Sequence, residues 1–210
     1  MTTRVLLADD HVLFAQAVAH LLARRYEVVD IVGDGRTLQT SARSHKPDVI
    51  VADITMPQMS GLDGIRSLRN DSYVPKIVFL TMHSDTELAR ECFSCCGSAF
   101  VTKDSGFDEL ITAIDAVMAN RQYVSPRVAA GLIKASKEAT VNSGDSGQLS
   151  SRQREILQLF AEGKTMKEIA SITNLSTRTV EWHKYRMMKM LDVSTSAELV
   201  QHAVRMRLVI

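Results

Sequence analysis

The sequence predicts two domains, a doubly wound α/β domain with a five-stranded parallel sheet and a smaller all-α domain after it. The first prediction rests on short apolar runs that alternate five times with stretches of helical spacing, within roughly the first 120 residues. Residues 135–148 have the composition of a linker, and every segment after them repeats apolar residues at helical spacing. The second prediction rests on these later segments.

The run that ends at Asp53 is the clearest strand. Val49–Ala52 is apolar at every position, which is typical of a strand covered on both faces by helices, and Met56, Pro57 and Gly61 turn the chain directly afterwards. The same patterns predict strands over Val5–Ala8, Val28–Val32, Lys76–Thr81 and Ala99–Thr102, and helices beginning near Val12, around Leu38, and over Gly61–Leu68, Thr86–Ser94 and Phe107–Met118.

The C-terminal part is predicted to be entirely helical. Its helices end near Ala161, Ile172, Leu191 and Met206, and one further helix over Arg127–Lys134 precedes the linker. Only three residues separate the second of the four from the third, a connection typical of a helix-turn-helix. We therefore predict an α/β domain over residues 1–122, a connecting helix and flexible linker over 123–147, and a helix-turn-helix domain over 148–210.

The composition is that of an ordinary soluble globular chain, with 23% charged and 45% hydrophobic residues. No apolar run is long enough to cross a membrane and no signal-peptide core follows the N-terminus, so a cytoplasmic protein without a membrane partner is expected. Charge is unevenly distributed along the chain. Residues 149–210 carry 10 Lys and Arg against 6 Asp and Glu, whereas residues 1–148 carry 15 against 18, so the C-terminal part is the candidate for binding a polyanion.

Three cysteines are clustered at Cys92, Cys95 and Cys96. An odd, clustered set does not describe a disulfide framework, and no partner pair of Cys or His stands at metal-ligand spacing. Packing or incidental thiols are favoured over a metal site.

Five polar residues are predicted at the carboxyl ends of four strands: Asp9, Asp10, Asp53, Thr81 and Lys103. Converging carboxylates repel one another unless a hard cation such as Mg²⁺ neutralises them. The hydroxyl and the ammonium group would then hold a small tetrahedral anion at Asp53, whose carboxylate can accept a phosphoryl group as a nucleophile. Taken singly, each aspartate has a simpler explanation as a helix cap.

These residues, together with Met56, Pro57 and Gly61, resemble the receiver domain of two-component response regulators over about residues 3–120. The resemblance implies that a sensor histidine kinase phosphorylates Asp53, and that Mg²⁺ is bound by Asp9 or Asp10, Asp53 and the Thr55 backbone carbonyl. It also implies that Thr81 moves toward the phosphoryl group and that Lys103 pairs with it. Phe100 stands at the position of the aromatic switch, although an aromatic residue at a strand centre also suits the core. Asp104 stands where many receivers have proline.

The third helix of the C-terminal part is the predicted reading helix of the helix-turn-helix, which would enter the major groove N-terminus first. Residues 177, 178, 181 and 184 share one helical face. Arg178 and Lys184 can hydrogen-bond guanine edges or phosphates, and Thr177 or Thr179 can donate to a phosphate oxygen.

Residues 148–210 resemble the LuxR-type DNA-binding domain, through Leu149–Leu157, Glu162–Lys164, Lys167–Ala170, Leu175–Ser176 and the Thr179-Val180-Glu181-x-His183 motif. The resemblance implies the NarL/FixJ group of response regulators and a dimerisation surface on the last helix. Trp182 replaces the small residue usual in this motif, and could either contact DNA or pack on the first helix of the domain. The predicted DNA-contacting set is Lys164, Lys167, Thr177, Arg178, Thr179, Val180, His183 and Lys184.

Two enzyme classes are disfavoured. Phosphatases of the haloacid-dehalogenase type place a second aspartate two residues after the nucleophile, where this chain has Thr55, and no G-x-G-x-x-G follows the first strand. The sequence thus predicts a phosphorylation-dependent transcription regulator rather than an enzyme, which binds double-stranded promoter DNA and forms a homodimer when phosphorylated. The alternative is a receiver-type regulator that acts through protein interactions, independently of phosphorylation.

Overall fold

The computed structural model describes residues 2–69, 71, 73–82, 86–95, 97–139, 149–206 and 208–209. The chain divides into two compact units, Met1–Glu138 and Ala139–Ile210. In chain order the elements are β1 (Arg4–Ala8), α1 (Val12–Leu22), β2 (Glu27–Val32), α2 (Gly35–His45), β3 (Val49–Asp53), α3 (Gly61–Leu68), β4 (Lys76–Thr81), α4 (Thr86–Cys95), β5 (Ala99–Thr102), α5 (Phe107–Met118), β6 (Tyr123–Val124), α6 (Pro126–Ala139), α7 (Ser151–Ala161), α8 (Met166–Thr173), α9 (Thr177–Met190) and α10 (Ser196–Arg205).

The N-terminal unit contains a parallel sheet in the order β2-β1-β3-β4-β5-β6. The prediction of five strands was short by one, because Tyr123 and Val124 pair with Ala99 and Phe100 and add a sixth strand. A two-residue strand is too short to show apolar alternation, so the sequence pattern could not reveal it.

The central strand β3 is buried along its whole length, as its continuous apolar run predicts. The register aligns Ala8 of β1 with Ala52 of β3, and Asp53 with Leu80 of β4. Since parallel strands end at one edge of the sheet, Asp9, Asp53 and the residues after β4 and β5 meet there.

The connecting helix α6 runs from Pro126 to Ala139, several residues beyond the predicted Lys134. Ser125 precedes it, and its carbonyl oxygen accepts from the N–H groups of Val128 and Ala129. The structure describes the chain of the predicted flexible linker only as far as Ala139, so the rest of the linker lies outside the described residues. Cys96 also lies outside them.

The C-terminal unit packs α7, α8, α9 and α10 around one apolar core, whose fully buried members include Leu157, Ile169, Val180 and Leu199. Asn174 ends α8 in the left-handed conformation, with φ 52°, and the Ser176 hydroxyl caps α9 by accepting from the Thr179 N–H at 3.0 Å. This tight turn and cap form the predicted helix-turn-helix. Within the described residues, no helix combines the length and apolar character needed to cross a lipid bilayer.

Candidate functional site

Three charged side chains meet at the carboxyl edge of the sheet. The Lys103 ammonium nitrogen lies 2.5 Å from Asp9 Oδ2 and 2.7 Å from Asp53 Oδ2, and all three side chains are almost completely buried. Lys103 comes directly after β5, and its N–H donates to the Thr81 carbonyl at 2.7 Å, which ties the end of β5 to the end of β4. The structure therefore brings Asp9, Asp53 and Lys103 together at this edge of the sheet.

Burial and the Lys103 ammonium act in opposite directions on the pKa of Asp53. Burial raises the pKa of the Asp53 carboxyl above its usual value, and the Asp9 carboxylate adds to this rise. The Lys103 ammonium and the hydrogen bond that it donates favour the charged form and offset part of the effect. The charged form of Asp53 therefore depends on a cation beside it.

The loop after Asp53 folds back over the carboxylate. The Thr55 N–H donates to Asp53 Oδ1 at 3.1 Å, and the Gly61 N–H donates to the Ile54 carbonyl at 3.0 Å. A Cβ atom on Gly61 would lie 1.9 Å from the Asp53 carbonyl oxygen. Only glycine therefore allows α3 to begin this close to the end of β3.

The acidic residues form a pocket typical of divalent-metal binding. Asp9, Asp10, His11 and Asp53 each offer one ligand atom, and these atoms all lie within 4.8 Å of one another. Several carboxylate oxygens in one place suit a hard cation, and the Lys103 ammonium now occupies part of the space between them. The residues present therefore fit a divalent cation.

His11 was missed by the sequence reasoning. Its Nδ1 lies 3.1 Å from Asp9 Oδ1 and 3.2 Å from Asp10 Oδ1, and its side chain is half exposed. Its position directly after two aspartates was the signal that could have identified it.

Thr81 and Phe100, the predicted switch residues, are both fully buried. Thr81 is the last residue of β4 and is aligned with Thr102, whereas Phe100 is aligned with Phe79 in the middle of the sheet. Phe100 is thus a core residue in this conformation, and its role as a switch stays a prediction.

A buried polar cluster connects the Lys103 loop with the start of α6. The Ser125 hydroxyl accepts from the Thr102 N–H at 3.2 Å and donates to the Glu109 carboxylate of α5. On the surface, Asp104 and Arg127 form an ion pair. The end of β5, where Lys103 lies, is therefore held directly against the connecting helix.

The second candidate site is the exposed face of α9. Glu181 and Tyr185 are exposed there, and Thr177, Arg178 and Lys184 are partly exposed. The Lys184 ammonium nitrogen lies 5.1 Å from the centre of the Phe160 ring of α7, so this side chain leans against the neighbouring helix. Lys164 and Lys167, the predicted phosphate contacts, are both exposed.

Three predicted DNA-contacting side chains lie on the other side of α9. Thr179, Val180 and His183 are completely buried, with Val180 in the apolar core, so their side chains are not available for the predicted contacts in this conformation. They belong to the inward face of an amphipathic helix. Trp182 is also buried and packs edge-on against the His183 ring at 4.6 Å, which favours a packing role over a DNA contact.

Cys92 is a buried cysteine of α4. It is 1% exposed, in agreement with the packing role that the sequence favours.

Both parts of the chain match known families. The model of the response regulator receiver domain matches residues 5–115, and that of the luxR family of bacterial regulatory proteins matches residues 147–203. The transcriptional regulatory protein MctR of Rhizobium johnstonii is 31% identical over 203 residues, which are 95% of this chain and 92% of that protein. The response regulator GacA of Pseudomonas viridiflava is 30% identical over 204 residues, which are 96% of this chain and 95% of that protein.

Solved structures show the same architecture. A two-component response regulator of the LuxR family from Aurantimonas sp. SI85-9A1 is 31% identical with a TM-score of 0.62, over 64% of this chain and 98% of the other. A structure of the RcsB response regulator of Salmonella typhimurium is 26% identical with a TM-score of 0.57, over 97% of this chain and 99% of the other.

Proposed function

We propose how this chain regulates transcription. It belongs to the response regulators, and it joins a receiver domain to a LuxR-type DNA-binding domain. The chain is a phosphorylation-dependent, DNA-binding regulator of transcription. In our proposal a sensor histidine kinase phosphorylates Asp53, and the phosphorylated chain forms a homodimer on double-stranded promoter DNA. The observation that carries this proposal is the buried arrangement of Asp53, Lys103 and Asp9 at the sheet edge.

Asp53 provides the nucleophile. One of its carboxylate oxygens forms the new bond to phosphorus while the bond from phosphorus to the donor nitrogen breaks. Lys103 neutralises negative charge on the transferred group, which requires its ammonium to leave part of its present contact with the two aspartates. A Mg²⁺ ion, when held by Asp9, Asp10 and Asp53 with the Thr55 backbone carbonyl, supplies further neutralisation of that charge.

Phosphorylation then shifts a conformational equilibrium that exists beforehand. The Thr81 hydroxyl moves toward the phosphoryl group, and Phe100 repacks into the space that becomes available. Both residues are fully buried at present, so a movement of one requires the other to adjust. The receiver face formed by β4, α4 and β5 changes in consequence, and dimerisation or release of the C-terminal domain follows.

DNA binding is assigned to the exposed face of α9 and to the two lysines near α8. Arg178, Lys184 and Thr177 are partly exposed at the N-terminal half of α9, and Lys164 and Lys167 are exposed beside it. The arginine and the three lysines would contact phosphates and make DNA binding sensitive to salt. The similar RcsB response regulator, whose structure concerns DNA interaction, supports DNA binding as such.

A gel-shift titration of the full chain on promoter DNA tests the proposal, with and without acetyl phosphate and Mg²⁺. We expect acetyl phosphate to increase the affinity of the unmodified chain and to leave the Asp53→Asn variant unchanged. Lys184→Ala should weaken binding without reducing phosphorylation. An equal affinity for DNA with and without acetyl phosphate would favour a regulator that acts independently of phosphorylation. The absence of binding to any promoter DNA would favour a protein-interaction role.

A further inference from the structure

We propose that Glu181 is a base-reading residue of α9 and selects cytosine at one position of each DNA half-site. This inference rests on the proposed function and adds the chemistry of recognition to it. The starting observation is the orientation of α9. Val180, His183 and Met187 are completely buried, so the opposite helical face, which carries Arg178, Glu181 and Tyr185, points away from the core.

This outward face carries a carboxylate and a phenol beside the partly exposed cation Arg178. Lys184 lies at the border of the face, where its ammonium is 5.1 Å from the Phe160 ring. Tyr185 is 56% exposed, and Glu181 is exposed one turn before it. Glu181 and Tyr185 are therefore placed, with Arg178, to reach base edges in a major groove.

A carboxylate at this place can act in only one way on a base edge, because it accepts hydrogen bonds and donates none. In the major groove the N4 amino group of cytosine is a donor with no acceptor beside it on the same base, and it is the base group that Glu and Asp recognise. Guanine presents two acceptors there and repels a carboxylate. Glu181 thus favours cytosine by attraction and disfavours guanine by repulsion.

The carboxylate is available for this contact. Within the part of the chain that the structure describes, no ion pair or side-chain hydrogen bond involves Glu181, in contrast to Glu155, which pairs with Arg152. The same negative charge weakens the general attraction of the helix to phosphates. A residue that weakens non-specific binding while it discriminates between bases raises specificity on both counts.

The test is selection of binding sites from a random duplex DNA pool by the full-length chain, treated with acetyl phosphate and Mg²⁺. The unmodified chain is compared with Glu181→Ala, Glu181→Gln and the charge-matched control Glu162→Ala, which removes an exposed carboxylate at the end of α7. Helical content of each variant is verified by circular dichroism. Affinities for the selected site and for copies with one base changed are then measured at two salt concentrations.

We expect the unmodified chain and Glu162→Ala to select cytosine at one position of each half-site, with a discrimination of roughly five-fold or more. Glu181→Ala should lose the preference at that position alone and gain affinity for unrelated DNA, and Glu181→Gln should move the preference toward adenine, which glutamine recognises. Glu181→Ala with an unchanged selected sequence would overturn the inference and leave the proposed function standing, even if its affinity rose uniformly. Failure of the unmodified chain to select any sequence would overturn both.

Discussion

Replacing Lys103 with methionine removes the ammonium group that contacts both Asp9 and Asp53. The three side chains are 3% exposed or less, so two buried carboxylates lose the ammonium group that compensates their charge. Removing one member of a buried ion pair typically costs about 3–5 kcal/mol. For a domain of this size the midpoint of thermal unfolding should fall by roughly 10 °C or more.

Differential scanning calorimetry at pH 8 measures this loss in the full chain. Trp182 is the single tryptophan and lies in the C-terminal unit, so its fluorescence reports unfolding of that unit and serves as an internal control. Lys46→Met, which removes an exposed cation of the receiver, should change stability by no more than about 0.5 kcal/mol.

Magnesium sharpens the same experiment. A divalent cation that binds the native carboxylates stabilises the folded state, and in Lys103→Met it no longer competes with the ammonium. Adding Mg²⁺ should therefore raise the unfolding midpoint of the variant by more than that of the unmodified chain. A variant that unfolds within about 2 °C of the unmodified chain without Mg²⁺ would refute the reasoning that the ammonium stabilises this site.

Three further substitutions test other parts of the account. Gly61→Ala should destabilise the receiver by about 1–3 kcal/mol and reduce phosphodonor labelling, because the new methyl group collides with the carbonyl oxygen of Asp53. Gly33→Ala should do neither, since the nearest atom to its new methyl group lies 3.9 Å away. Ser125→Ala should cost about 1–3 kcal/mol in calorimetry, since the buried Thr102 N–H loses its acceptor; an unchanged midpoint would contradict this. Ser176→Ala removes the cap of α9 and should lower the urea midpoint followed by tryptophan fluorescence by the equivalent of about 0.5–2 kcal/mol, without moving the calorimetric transition of the receiver.

The sequence predicted the receiver well because its strands are continuous apolar runs and its polar residues follow directly at their ends. Asp53 illustrates this, since a carboxylate at the end of the fully buried β3 lies at the sheet edge. Tyr123 and Val124 could not be recognised in the same way. Their short pairing with β5 depends on tertiary contacts rather than on a pattern of their own.

The reading helix was predicted less well. The sequence led us to predict DNA contacts for Thr179, Val180 and His183. The packing of α9 instead turns all three side chains inward. The direction of a helix face is decided by which side the domain core covers. Glu181 is absent from the predicted DNA-contacting set, although a carboxylate that is unsuitable near phosphates can still contact a base edge.

Phosphorylation of the intact chain by acetyl phosphate and Mg²⁺, followed by mass spectrometry of its peptides, tests the central claim most directly. The account predicts one phosphoryl group on the peptide that contains Asp53, absent from Asp53→Asn, whose amide occupies nearly the same volume. An unlabelled chain, or a label that persists in Asp53→Asn, would contradict it.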